Sequence, residues 1–308
     1  MKINIEIKEY ASINDILSQL PFKADVDRVE YIEVELFYTC GNFVKGEIFA
    51  LIVAYIRYLE HLNKNIKITY DPDEDCQTIK YAARINFFNL IGIEFNEKFN
   101  RNETNGNFLE ITEFNADNLY DVIQDTVRIF QKTLRLENSI LDCVNHCFGE
   151  VVCNVDMHAE SQSAGVIYAQ YFPNAKKLSI FIIDCGIGFH ESLKKSEEFK
   201  EISHEECLLK CCEKGVTDGS GKGIGLYHTS LFISANDGQM KINTCGKQLI
   251  KNNKVETVID TSHWQGSIIN LELKTNKVVD YQTVFEGYEP LTFAENEECI
   301  NEKIAELW

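Results

Sequence analysis

The sequence predicts an α/β protein built as two domains. At 308 residues the chain is longer than the usual single domain. Up to residue 112 its elements alternate as strand, helix, strand, helix, the order of a small α/β unit. Beyond that, two long helical stretches lead into Leu178–Gly188, a short β-branched apolar run that ends on a lone carboxylate and two glycines. A run of that length and branching reads as a buried strand rather than a helix.

Composition narrows the function classes. The chain is 44% hydrophobic, with 19 Phe and 13 Tyr, enough apolar material for two cores. Its 48 Asp and Glu outnumber 30 Lys and Arg, giving a formal net charge of −18. A duplex-binding protein needs phosphate-neutralising basic patches, so direct nucleic-acid binding is disfavoured. The opening Met1–Lys8 alternates apolar and polar residues like a strand and has no signal-peptide apolar region. The longest apolar run, Ile48–Ile56, is far short of a membrane span. Eleven Cys are scattered without a secreted framework, and Cys211 and Cys212 are adjacent. Such usage suits a reducing compartment, and a cytoplasmic location is expected. Cys143/Cys147 and Cys207/Cys211 fall four residues apart, with His146 beside the first pair. A zinc site would draw on paired Cys-x-x-Cys sets, which are missing, so buried structural thiols are the better reading.

Taken in order, residues 29–37 alternate at period two and predict a strand. Residues 43–62 carry a helical apolar pattern through Ile48, Leu51, Ile52, Tyr55, Ile56 and Leu59. A strand at Ile66–Tyr70, the breaker at Asp71–Asp75 and a helix near 76–91 follow. The polar stretch Asn96–Asn107 reads as a linker. A long helix is expected from Asn115, with Asn115 or Asp117 as cap, then a break near Arg135–Ser139 and a second helix over Ile140–Met157. Strands are expected at 165–172 and 177–184, and a helix at 203–213. A glycine-rich loop then leads into a helix ending near Asn236, followed by strands near 238–244, 254–260 and 267–273. Residues 276–308 read as an acidic tail. No internal repeat is present.

Three short boxes carry chemistry. On the second long helix Glu150, Asn154 and His158 share one face. An Asn oxygen suits Mg²⁺, and a Glu one turn away can deprotonate a nucleophile approaching a phosphate; alone, the pair reads first as a solvated helix face. Asp184-Cys-Gly186-Ile-Gly188 gives a buried acceptor and close backbone approach for a flat ligand. Gly221-Lys222-Gly223-Ile224-Gly225-Leu226 opens a helix, where backbone N–H groups and the dipole attract anions. It is not a Walker A loop, because Val216 and Gly223 stand where Gly and Ser or Thr are required. Nor is it a dinucleotide fingerprint, since its glycines alternate and it follows a helix.

Together, in order and spacing, these boxes resemble the GHKL ATP-binding family of gyrase, heat-shock chaperone, histidine kinase and mismatch-repair ATPases. The resemblance covers roughly residues 115–275, placed in a domain spanning 113–275, and extends to Trp264–Leu273, similar to the family's Gly-Thr-x-Phe strand with Ser267 in the Thr position. It implies a Bergerat α/β sandwich, a mixed sheet with helices on one face, binding ATP and Mg²⁺. Asp184 would bind the adenine amino group, with Gly186 and Gly188 admitting the base. Asn154 would hold Mg²⁺ and Glu150 would act as general base. Gly221, Gly223 and Gly225 would shape a lid, with Thr217, Lys222, Ile224 and Leu226 nearby. His158 sits where the family often has a polar residue near the phosphates, or is a surface residue. His190, His204, His228 and His263 receive no role.

Residues 1–112 resemble the STAS-like regulatory domains in element order and in the Phe87-Phe88…Gly92-Ile93 ending. That resemblance puts Thr39 where some members accept phosphate; a turn threonine is the plainer reading. Three outputs fit: an ATPase that acts through a protein partner or homodimer, a Ser/Thr kinase resembling the anti-sigma-factor kinases, or a nucleotide sensor. A histidine kinase fits poorly, because no phosphoacceptor box precedes the Glu150 helix and His146 does not match one.

Overall fold

The computed structural model describes residues 1–39, 43–70, 76–96, 108–134, 138–158, 164–219, 222–285 and 287. The chain begins with a parallel sheet of three strands, β1 (Lys2–Ile7), β2 (Tyr31–Tyr38) and β3 (Asn65–Tyr70), in that order. Alternation decides its faces: Ile3, Ile5, Ile7, Ile32, Val34 and Leu36 turn inward. Two short helices, α1 (Ile13–Leu17) and α2 (Lys23–Val26), fill the first crossover, and α3 (Gly46–His61) forms the second. α1 starts at a capping box in which Ser12 Oγ accepts from Asp15 N–H and the Asp15 carboxylate accepts from Ser12 N–H.

The helix expected over 76–91 is two helices, α4 (Gln77–Arg84) and α5 (Phe87–Leu90). Asn86 separates them with φ of 70°, a left-handed conformation that Asn tolerates better than most residues. Apolar periodicity continues across that kink, which is why the pattern reads as one helix.

The second sheet has seven strands: β4 (Phe108–Phe114), β5 (Gly165–Phe172), β6 (Lys177–Ile183), β7 (Gln239–Thr244), β8 (Lys247–Lys251), β9 (Glu256–Asp260) and β10 (Ile268–Lys274). Their order is β4-β5-β6-β10-β7-β8-β9. Every pairing is antiparallel, so the sheet is not the expected mixed one. Hairpins at β5–β6 and β7–β8–β9 set that pattern, and β10 enters antiparallel to both its neighbours, β6 and β7. The boundary expected at residue 112 falls inside β4. This strand reads as the end of the first unit but pairs with β5, with a bulge between Leu109 and Thr112.

Helices cover both faces of this sheet, another departure from expectation. On one face lie α6 (Leu119–Leu134), α7 (Asn138–His158) and α10 (Gly225–Ala235). Ile123, Val127, Phe148 and Val151 pack there against Ile167, Ile180, Ile182 and Ile269. The opposite face, with Val166, Tyr168, Phe181 and Ile183, shares a core with α3. That explains why α3 is apolar nearly all round: Ile48 to Ile56 is buried at every position. β6 is covered on both faces, which fits its unbroken apolar run. Three further helices, α8 (Gly188–Leu193), α9 (His204–Lys210) and α11 (Tyr281–Val284), lie outside the sheet. Among the described residues no helix is long and apolar enough to cross a membrane.

Candidate functional site

Asp184 stands one residue beyond β6, where Ile183 pairs with Val166 and Ile268. Its N–H continues the ladder by donating to Ser267 O at 3.0 Å. The side chain is 2% exposed and accepts from Gly186 N–H at 2.8 Å, from Ser267 N–H at 3.2 Å and from the Ser267 hydroxyl. Burial pushes this carboxyl up to about 6, and the three donors oppose the rise. At neutral pH it is therefore mainly an anion. A carboxylate offers about four lone-pair sites, so roughly one acceptor position is left for an incoming donor.

Two residues of the Trp264–Leu273 stretch, given no site role from the sequence, complete this turn. Trp264 is buried and donates from Nε1 to Asp184 O at 2.8 Å. Gly266 lies so close that a Cβ there would collide with the Asp184 carbonyl and Oδ1 and stand 2.7 Å from Gly186 N. Gly188 has φ of 74°, and a Cβ on it would meet Thr244 Oγ1 at 2.6 Å and Gln265 O at 2.9 Å. Because backbone would have to shift, Gly266→Ala is expected to cost about 1–3 kcal/mol. Thermal or denaturant unfolding of the variant checks this, and a stability equal to wild type would show that the turn is looser than drawn.

A second centre forms where α10 meets α7. A Cβ at Gly225 would stand 2.6 Å from Glu150 Oε2 and 3.4 Å from Asn154 Nδ2. Glycine here lets the start of α10 approach both side chains. The residue before α10, Ile224, has no polar side chain with which to cap the first turn. Its N–H groups and dipole thus face a region shared with the Glu150 carboxylate and the Asn154 amide.

The loop before α10 is held by its own backbone. Gly223 has φ of 61°, and Gly215 N–H donates to its carbonyl at 2.8 Å. Thr217 Oγ1 accepts from Gly219 N–H at 3.2 Å, and Asp218 accepts from Ser192 Oγ at 2.9 Å. Lys222 is exposed, whereas Leu226 is buried in the core. Gly221 lies outside the described residues. His158 closes α7, but its side chain is likewise outside them.

The structure therefore brings Glu150, Asn154 and Gly225 together, and separately Asp184, Gly186, Gly188 and Ser267. Thr39, exposed after β2, donates its N–H to Ile7 O at 3.1 Å, and its carbonyl accepts from Thr78 Oγ1. Cys143, Cys147, Cys207 and Cys211 are buried free thiols. Among the described residues no group of three or more His, Cys, Asp or Glu is arranged to hold a metal ion. His146 and His228, given no role from sequence, are buried and hydrogen-bonded to each other at 2.9 Å. Compared with family models, curated proteins and solved structures, the chain gives no match.

Proposed function

We propose that this chain binds Mg-ATP and hydrolyses it, with the outcome passed to a protein partner or a second copy. The observation that supports it best is the meeting of Glu150, Asn154 and the start of α10 at Gly225. Phosphate oxygens would accept from the first N–H groups of α10. A phosphate placed there would also face the Glu150 carboxylate, so binding needs a cation between the two charges. The Asn154 amide oxygen fits that need, since Mg²⁺ takes few protein ligands beside phosphates and water. When bound, Mg²⁺ supplies the charge neutralisation that phosphoryl transfer requires. Glu150 then accepts the proton of the attacking water. At the other end the remaining acceptor position of Asp184 takes a hydrogen of the adenine amino group, and Gly186 and Gly188 let the base come close. Lys222, Thr217, Gly221, Gly223 and Ile224 belong to the loop that closes over the phosphates, and Leu226, in the first turn of α10, anchors its end in the core.

In the same reading the antiparallel unit from β4 onwards is the nucleotide-binding unit, with α11 of the expected tail packed into its core, and the N-terminal parallel unit is a STAS-like regulatory unit, in a cytoplasmic protein. The decisive experiment follows labelled γ-phosphate with Mg²⁺, on purified protein and then with lysate. Free phosphate is the expected product. Label on a protein band would make the chain a kinase, intact ATP despite tight binding a sensor, and no binding at all would remove the proposal. Asn154→Ala is expected to abolish the Mg²⁺ dependence of ATP binding by calorimetry; intact dependence would remove Asn154 as the ligand.

A further inference from the structure

A buried polar chain runs behind Glu150. The Tyr281 hydroxyl lies 3.0 Å from His146 Nδ1, and His146 Nε2 lies 2.9 Å from His228 Nδ1. The three side chains come from α11, α7 and α10, and none is more than 8% exposed. Phe285, fully buried, stacks on the His146 ring at 4.7 Å and packs against His228 and Tyr281 at 5.1 and 4.6 Å. In so dry a setting each polar atom needs a partner, so the tautomers of the two rings are tied to each other.

Of the two directions such a chain can take, one leaves an N–H at its end. A neutral imidazole carries one donor and one acceptor. If the Tyr281 hydroxyl donates to His146 Nδ1, then His146 donates from Nε2 to His228 Nδ1. His228 is left presenting Nε2–H. α10 and α7 lie antiparallel here: Gly225 faces Glu150, and three residues along α10, His228 meets His146, which precedes Glu150 by one turn of α7. The groups around His228 are thus His146 and Glu150 from α7, Phe285 just after α11, Tyr227 beside it and Lys214 from the preceding loop, with Tyr281 of α11 reached through His146. Burial lowers the affinity of His228 for a proton, Glu150 opposes this, and Lys214 adds to it.

We propose that Tyr281, His146 and His228 form a positioning relay for Glu150. The hydroxyl of Tyr281 fixes both imidazole tautomers, and His228 presents its Nε2–H to the Glu150 side of the α7–α10 contact, setting the carboxylate for proton acceptance. Tyr281 thereby makes the C-terminal segment a control point for turnover. The proposal rests on Glu150 being the base.

The test uses full-length protein with ¹⁵N-labelled histidine, without nucleotide, as wild type, Tyr281→Phe and Glu150→Gln. Tyr281→Phe keeps the ring against Phe285 and removes only the hydroxyl. It is expected to mix the tautomers of both histidines. Glu150→Gln is expected to lower the titration midpoint of His228 by about 0.5–1 pH unit, since a nearby anion favours the imidazolium. It also keeps the test alive should Tyr281→Phe not fold. In turnover assays Tyr281→Phe is expected to lower kcat about 3–10-fold, with KM within about 2-fold and the acidic limb of the pH profile displaced. Unchanged tautomers and an unchanged His228 midpoint would overturn the relay even in an active ATPase. Both couplings present in a protein that binds no ATP would instead overturn the nucleotide reading and leave the coupling to Glu150 supported.

Discussion

Glu150→Gln is expected to keep Mg-ATP binding and lose turnover by about 10²–10⁴-fold, the usual contribution of a positioned general base. The amide has the shape of the carboxylate and cannot take the proton. The placement of Glu150 adds a second expectation. In the free protein its carboxylate lies at the start of α10, 2.6 Å from where a Gly225 Cβ would stand. It therefore competes with any anion for the same N–H groups. Glu150→Gln removes that competitor, so ATP should bind the variant at least as tightly as wild type, and with less dependence on Mg²⁺. Phosphate release and calorimetry on the same preparation measure both effects. Wild-type turnover in the variant would show that the base lies elsewhere.

Asp184→Asn is expected to weaken ATP binding by about 10–100-fold, because a hydrogen bond to a charged acceptor contributes about 1.5–3 kcal/mol. Unchanged affinity would remove Asp184 from the adenine contact. The same variant should reveal what the ionised carboxylate costs the fold. Asp184 has its carboxyl raised from 3.8 to about 6, so between those values the folded chain holds a proton that the unfolded chain releases. The stability this group contributes is full below about 4 and is lost as pH rises through about 6. The gap corresponds to about 3 kcal/mol. Relative to wild type, Asp184→Asn should thus gain roughly that amount between pH 4 and pH 7, read from denaturant unfolding at the two pH values. A buried anion that weakens the fold at neutral pH is better explained by a ligand than by stability.

Much of the framework could be read from local pattern. β6 announced itself by an apolar run that needs cover on both faces, and α3 by apolar residues at nearly every position. α7 and α10 followed from periodicity and from the glycines before α10. Elements without a strong pattern escaped. β4 alternates, but its bulge shifts the phase between Leu109 and Thr112, and the polar stretch before it reads as a linker. β8 has only Leu249 and Ile250 as apolar residues. Its signal was the turn before it, where Cys245 and Gly246 both have positive φ, as a two-residue hairpin demands.

The site was legible only in pieces. Glu150 and Asn154 sit one helical turn apart, so their common face follows from spacing. Asp184 and Ser267 are 83 residues apart and meet through the β6–β10 register, which no local pattern encodes. Their association in the sequence came through the resemblance alone. The His146–His228–Tyr281 chain spans three elements separated by 82 and 135 residues, and nothing in any one segment marks it.

α3 lies between two sheets of opposite character, one parallel and one antiparallel. Near its middle, Ala54 O accepts from the thiol of Cys185, the residue directly after Asp184. At its start Gly46 fits against the Tyr168 ring, and towards its end the Arg57 guanidinium reaches both Glu113 and Leu90 O. Such a helix acts as a party wall: the same buried residues complete the packing of both sheets. If the turn at Asp184 and the N-terminal strands both bias the packing of α3, linkage requires that the effect of each on the other be equal in free energy.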